Sequence, residues 1–142
     1  MFRKPDPAGI FMLPLEVKEH PHKGYICVAA SDIQPHSLIE RCPTIKFEIS
    51  SLIKLHEYLL GRSIFHDYVF TDKGYAYFAM GYGGIYSHAD EPNARWSIKY
   101  DESARETIEI RAMKPISKGD EITIKYTYNP KMLWFEQENS SE

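Results

Sequence analysis

The chain has 142 residues, a formal net charge of −3, 43% apolar residues and 26% charged residues. These values are typical of one globular domain with its own core, and the lack of a basic stripe disfavours nucleic-acid binding through phosphate neutralisation. No stretch approaches the roughly 20 consecutive apolar residues of a membrane-spanning helix, and the N-terminus has no signal-peptide pattern. We therefore expect an intracellular protein that is not bound to a membrane.

The first third of the chain is predicted to form short strands. Residues 9–17 (GIFMLPLEV) predict a strand or strand pair interrupted at Pro14, because proline cannot donate to a sheet ladder. Residues 24–30 (GYICVAA) are apolar and rich in residues that favour strands. A turn at Gln34-Pro35 then precedes a short strand at residues 38–40.

One helix is predicted, over residues 50–61 (SSLIKLHEYLLG). Its leucines recur at helical spacing, so that one face is apolar. Ser50 or Ser51 is a candidate N-cap, and Gly61 is a candidate C-terminal stop.

The strands after the helix are strongly patterned. Residues 67–70 and 74–80 predict two strands joined by a turn. In residues 106–113, apolar and polar residues alternate, which predicts a half-buried strand. A turn with a positive φ at Gly119 leads into residues 121–126, whose alternation places three side chains on the interior face: Ile122, Ile124 and Tyr126. The chain is therefore predicted to be mainly β with one helix.

The cysteine and histidine pattern predicts no metal site. Cys27 and Cys42 form no CxxC pair and stand in strand-like surroundings, which favours reduced, buried thiols. A structural zinc site needs more ligands at tighter spacing, and the histidines are scattered along the chain.

Two features leave a choice between chemistry and packing. Residues 81–94 (GYGGIYSHADEPNA) are rich in glycine, which indicates close backbone approach either to a ligand or to another chain segment in a buried crossing. Tyr126 ends an inward-facing strand, where a tyrosine is either a core residue with a bonded hydroxyl or part of an active site. The patterns alone decide neither choice.

Four segments carry a resemblance to a known family: residues 87–94 (SHADEPNA), 119–126 (GDEITIKY), 110–116 (IRAMKPI) and 23–29 (KGYICVA). In this order and spacing they resemble the SET-domain family of protein lysine methyltransferases. The first is similar to the family's Asn-His-Ser-Cys-x-Pro-Asn-Ala signature and the second to its Gly-Glu-Glu-Ile-Thr-x-x-Tyr signature. The third matches the strand and turn between them, and the fourth is similar to the cofactor strand, Lys-Gly-x-Gly-Val-x-Ala. Residues 67–70 and 79–86 are in addition similar to segments of its minimal viral SET-only type.

The resemblance implies a SET (β-clip) fold with several short curved sheets, one helix and a threaded C-terminal pseudoknot. Residues 1–142 would form one domain with a core at about residues 8–128. Residues 129–142 would close the site, with Trp134 and Phe135 as candidates and with a frayed end. The activity implied is methyl transfer from S-adenosylmethionine to a lysine amine of a histone or other basic protein, with S-adenosylhomocysteine as product.

The resemblance also implies site residues and partners. Tyr126 would be catalytic, and the substrate channel would be lined by Tyr25, Tyr68, Trp96 and Tyr128. The cofactor would be held by Lys23, Gly24, Tyr25, Ser87, His88 and Asn93. A homodimer is a candidate assembly, and the location would be the cytoplasm for a bacterial or archaeal chain and the host nucleus for a viral one.

Three positions depart from the family pattern. Ser87 stands in place of asparagine, Ala89 in place of serine, and Ile26 in place of the second glycine of the cofactor strand. An alternative reading is therefore a non-catalytic β-clip module that binds a protein partner and has lost its cofactor site. A second alternative is an unrelated small β-domain.

Overall fold

The computed structural model describes residues 6–58, 69–100 and 105–126. Its elements in chain order are β1 (Phe11–Met12), β2 (Leu15–His20), β3 (Gly24–Ala29), β4 (Leu38–Glu48), α1 (Ile49–Tyr58), β5 (Val69–Asp72), β6 (Tyr75–Ala79), β7 (Ser87–His88), β8 (Ala94–Tyr100), β9 (Glu106–Ala112) and β10 (Thr123–Ile124). The prediction of a mainly β chain with curled sheets and one helix is confirmed within these ranges. The interruption of the first strand near Pro14 is also confirmed. The threading of the C-terminal segment stays a prediction.

Strand β4 is the longest element of the main sheet and connects its two halves. The sheet has the order β5-β6-β4-β9-β8, and β1 also pairs with β4. The predicted short strand at residues 38–40 was wrong in length, since β4 continues through Pro43 to Glu48. Proline is tolerated there because β4 changes partner at this point, from β9 to β6, and the Pro43 carbonyl accepts the Met80 N–H at 2.8 Å.

The hairpin of β2 and β3 brings the N-terminal third against the C-terminal part of the domain. One edge of β3 pairs with β2 in an antiparallel register. At the other edge, the Ile122 N–H donates to the Cys27 carbonyl at 2.8 Å, and the Ala29 N–H donates to the Asp120 carbonyl at 3.0 Å. The turn before residue 121 contains Gly119 at φ 90°, so the predicted positive φ is confirmed.

The helix α1 begins at Ile49, directly after β4 ends at Glu48. Ser50 and Ser51 lie inside its first turn, so the prediction that one of them is the N-cap was wrong. The strand runs into the helix without a connecting loop, and the residue that precedes the helix is Glu48. Of the leucines on the predicted apolar face, Leu52 is buried but Leu55 is 37% exposed, and residues 59–61 of the predicted helix lie outside the described ranges.

Strand β9 is buried on both faces, which corrects the prediction of a half-buried strand. It lies between β4 and β8, and Thr107 and Glu109 on its supposedly polar face are 5% and 8% exposed. The Glu109 carboxylate is compensated by Arg41 at 3.0 Å and Arg111 at 3.2 Å. A buried charge is tolerated only when it is paired in this way.

The core contains apolar side chains from all parts of the described chain, including Ile39, Tyr86, Ile108, Ile110, Ile116, Ile122 and Ile124. Cys27 and Cys42 are both free and fully buried, so the prediction of reduced, buried thiols is confirmed. Burial, and next the charge of Glu40, raise the pKa of Cys27 to about 12, which leaves it protonated and unreactive at neutral pH. No helix in the described ranges is long and apolar enough to cross a membrane.

The predicted turn between β5 and β6 is present but shorter than the expected residues 71–74, because Thr71 and Asp72 belong to β5 and only Lys73 and Gly74 connect the strands. Lys73 and Gly74 both have positive φ, at 49° and 85°. Positive φ at both central residues is the geometry of a type I′ turn, which matches the twist of an antiparallel hairpin.

The segment from Gly81 to Tyr86 is held against β4 by a buried carboxylate. Glu40 is 3% exposed, and its two oxygens accept the Tyr82 N–H at 2.9 Å and the Tyr86 hydroxyl at 2.7 Å. A Cβ at Gly81 would overlap the Glu40 carboxylate, and one at Gly83 would overlap Ala79. These two glycines are therefore explained by close approach to other chain segments.

Replacing Gly81 with alanine is expected to destabilise the fold more than the same change at Gly9. The two glycines have matching φ values of 72° and 73°, but a Cβ at Gly9 meets nothing within 4 Å. Gly9→Ala should cost only the positive-φ strain of about 1–2 kcal/mol, whereas Gly81→Ala should cost about 1–3 kcal/mol more because it disturbs the hydrogen bonds of a buried carboxylate. Urea unfolding measures both, and equal losses would contradict the role assigned to Glu40.

Candidate functional site

The candidate site lies where residues 87–93 meet residues 121–126 and the start of β3. Strands β7 and β10 pair in parallel, with Ser87 opposite Thr123 and His88 opposite Ile124. The Ala89 N–H extends the pairing by donating to the Ile124 carbonyl at 2.9 Å. The two signature segments of the sequence are therefore in direct contact.

The Asn93 side chain joins the two segments by three hydrogen bonds. Its Nδ2 donates to the Glu121 carbonyl at 2.8 Å, and its Oδ1 accepts the Thr123 N–H at 2.9 Å and the Thr123 hydroxyl at 3.4 Å. Its own N–H donates to Thr123 Oγ1 at 3.2 Å. An amide is suited to this position because it is a donor and an acceptor at once.

His88 fixes the main chain at Tyr126. The Tyr126 N–H donates to His88 Nδ1 at 3.0 Å, so this nitrogen carries no proton. The proton of the neutral ring then lies on Nε2, which faces Asp90 Oδ1 at 3.2 Å. The His88 and Tyr126 rings lie 5.1 Å apart between centroids, tilted by 56°.

Tyr126 follows two fully buried isoleucines at alternate positions, Ile122 and Ile124. Its side chain is partly buried and packs against the core cluster. The predicted interior orientation of this residue is therefore observed, and its catalytic role stays a prediction.

An acidic residue that the sequence did not single out connects the predicted cofactor residues. Glu121 accepts two hydrogen bonds from Lys23 Nζ, at 2.9 and 3.1 Å, and one from the buried hydroxyl of Ser87. Burial by itself would raise the pKa of Glu121, but the bonds from Ser87 and Lys23 outweigh it and hold that pKa below its usual range. The only sequence signal was its place in GDEITIKY, next to Asp120.

The start of β3 is open toward solvent. Gly24 has φ 82°, pairs with His20, and would meet nothing within 4 Å if it had a Cβ. The Tyr25 side chain is 62% exposed, while Ile26 is half-buried and pairs with Lys18. Tyr25 is therefore largely open to solvent, and its role in the channel stays a prediction.

Trp96 lies in the core beneath the site. Its indole N–H donates to the Lys125 carbonyl at 2.8 Å, and its ring packs edge-on against Phe70 at 5.0 Å. With 8% of its surface exposed, its described contacts are those of a packing residue that supports the chain next to Tyr126. Its place in the channel stays a prediction. Tyr68, Tyr128 and the predicted closing segment 129–142 lie outside the described residues.

The polar groups at this site suit S-adenosylmethionine, whose amino-acid end carries an ammonium and a carboxylate. The cationic Lys23 and the anionic Glu121 lie together beside Ser87, so both signs of charge are available to a zwitterion. The open space at Gly24 lies next to Lys23 in sequence. Among the described residues, no group of three or more histidine, cysteine or acidic side chains could hold a metal ion.

Comparison with known proteins agrees with this geometry. The sequence profile of the SET domain matches residues 24–127. The chain is 26% identical over 129 residues to the H3 lysine-37-specific histone-lysine N-methyltransferase of Schizosaccharomyces pombe, a match that spans 90% of this chain and 81% of that protein.

Two solved structures share the fold. One is a Plasmodium falciparum protein proposed to be a histone methyltransferase, with a TM-score of 0.67 and 24% identity over 85% of this chain and 99% of that one. The other is ctPRC2 in an autoinhibited conformation bound to S-adenosylmethionine, with a TM-score of 0.71 and 18% identity over 92% of this chain and 17% of that one.

Replacing Asn93 with alanine is expected to destabilise the protein by about 2–4 kcal/mol, because it leaves the Glu121 carbonyl and the Thr123 N–H without their partner. Gln34→Ala is the matched control, since it shortens an amide at an exposed position and should change stability by less than about 0.5 kcal/mol. Chemical denaturation of both variants measures the difference. If Asn93→Ala lowered the free energy of unfolding by as little as Gln34→Ala, the Asn93 side chain would not hold the two segments together.

Proposed function

This chain belongs to the SET-domain family and is an S-adenosylmethionine-dependent protein-lysine methyltransferase, and we propose that its substrate is a lysine in a histone or another basic protein. The Schizosaccharomyces pombe relative, which is specific for histone H3, supports this substrate class. The net charge of −3 is compatible with a basic partner. The substrate class rests on this relative, whereas the observation that supports the methyltransferase site itself is the parallel pairing of the two signature segments, which brings His88, Asn93 and Tyr126 to one place.

The first requirement of the reaction is a neutral lysine amine. A free lysine has a pKa of about 10.4, so deprotonation at pH 7 costs roughly 4–5 kcal/mol. Transfer into a narrow apolar channel lowers this cost because desolvation disfavours the charged form. A strong base at the site is therefore not needed.

The second requirement is orientation. S-adenosylmethionine, when bound, supplies a methyl group on a positively charged sulfur. The Tyr126 hydroxyl oxygen would accept a hydrogen bond from the substrate amine. This bond would orient the lone pair of the amine nitrogen toward that methyl group. His88 contributes by holding the Tyr126 main chain through the bond to its N–H, and Trp96 by holding the preceding carbonyl.

The walls of the site belong to the same proposal. Tyr25 and Tyr68 would line the channel, with Trp96 and Tyr128 as secondary candidates, because aromatic faces suit both an aliphatic chain and a methylated ammonium. Lys23, Gly24 and the main chain at Ser87 and His88 would hold the cofactor.

A homodimer and an intracellular location complete the proposal. Buried, free cysteines are compatible with a reducing compartment. Light scattering of the purified protein would report twice the 16.5 kDa of one chain if the dimer forms, and the mass of a single chain would exclude it.

Tyr126→Phe is expected to leave the fold intact and to lower turnover by about tenfold or more, a loss of at least about 1.4 kcal/mol of transition-state stabilisation. The hydroxyl is removed while the ring and its packing against the core remain. Turnover is measured with a radiolabelled methyl donor and a histone substrate, with Tyr100→Phe, at an exposed position, as the matched control. Near-normal turnover of the Tyr126 variant would remove its hydroxyl from the mechanism.

Calorimetric titration with S-adenosylmethionine tests the proposal as a whole. Saturable binding in about the micromolar range, or near −8 kcal/mol, is expected, because Glu121 and Lys23 offer charges of both signs. A folded protein that binds no S-adenosylmethionine would instead indicate a non-catalytic module, in which Ser87, Ala89 and Ile26 mark a lost cofactor site.

A further inference from the structure

The Glu121 carboxylate interacts with one residue from each of the two segments expected to hold the cofactor. From the segment before β3 it receives Lys23 Nζ, at 2.9 and 3.1 Å, and from β7 it receives the Ser87 hydroxyl. Lys23 and Glu121 are 98 residues apart in the chain. These contacts therefore exist only in the folded domain.

Glu121 is itself held from the main-chain side. Its carbonyl accepts Asn93 Nδ2 at 2.8 Å, and it forms an antiparallel bridge with Val28 of β3. Its side chain is 23% exposed, against 41% for Lys23. A carboxylate fixed by its backbone can in turn fix a flexible lysine and a serine hydroxyl.

The position of Ser87 connects this arrangement with the expected cofactor site. Where the family has asparagine, this chain has a shorter side chain, and the Ser87 hydroxyl is used as a donor to Glu121. This contact lies in β7, at the residue directly before His88. Preorganised groups bind more tightly because less conformational entropy is lost on binding.

We propose that Glu121 is a positioning residue of the cofactor site, which holds Lys23 and Ser87 in the arrangement that receives the amino-acid end of S-adenosylmethionine. This inference rests on the proposed function. The cofactor's ammonium and carboxylate would meet a preformed pair of opposite charges. Because the pKa of Glu121 lies below its usual range, its carboxylate is ionised at neutral pH.

The test is the affinity for S-adenosylhomocysteine, measured by calorimetry without substrate or turnover. Glu121→Gln keeps the shape and removes the charge, and it is expected to weaken binding by about tenfold, or about 1.4 kcal/mol, with a melting temperature close to that of the wild type. Glu106→Gln is the matched control, because Glu106 also has a lysine partner at 2.9 Å, Lys46, but lies on β9 away from the site. Its affinity should equal that of the wild type.

A double-mutant cycle separates positioning from general stability. In the wild-type background, Lys23→Met should weaken cofactor binding. In the Glu121→Gln background the same change should weaken binding less, because the two groups act as one unit. If the Glu121→Gln variant fails to fold, Lys23→Met alone tests the inference, because Lys23 is exposed. Unchanged cofactor affinity in Lys23→Met would overturn the inference. Unchanged affinity in a folded Glu121→Gln variant would overturn it while leaving the proposed function intact. Absence of binding by the wild type would overturn both.

Discussion

The parallel pairing of β7 with β10 is the constraint on which the site depends. Each strand contributes only two residues, so the ladder by itself is weak. The Asn93 amide adds bonds to Glu121 and Thr123, and Ile124 anchors β10 in the core. The register then decides the contacts on either side, because a shift by one residue would turn every side chain of a strand to the opposite face.

With this register, one pairing has two chemical consequences. It places His88 against the Tyr126 main chain, so that an imidazole acceptor fixes the residue expected to act on the substrate. It also places Ser87 against Glu121, so that a carboxylate joins the segments expected to hold the cofactor. The substrate side and the cofactor side of the site are thus set by neighbouring residues of the same short strand.

Buried or half-buried carboxylates have a structural role throughout the domain. Glu40 holds the segment that leads into β7, Glu109 is paired between two arginines inside the main sheet, and Glu121 joins the site. Each is compensated by specific donors, as burial of a charge requires. The net charge of −3 does not reveal any of this, because it counts charges without regard to burial.

The sequence by itself determined the β-rich class, the hairpin between β5 and β6, the positive φ at Gly119 and the interior face of Tyr126, because alternation and turn chemistry are local properties of the chain. Its motifs also indicated His88, Asn93 and the family. Only the tertiary structure decided that β4 continues past Pro43, that Glu109 is buried, and that Glu121 reaches Lys23 across 98 residues. These features depend on which segments lie on each face of a strand and on the side-chain conformations that result, and no local pattern contains that information.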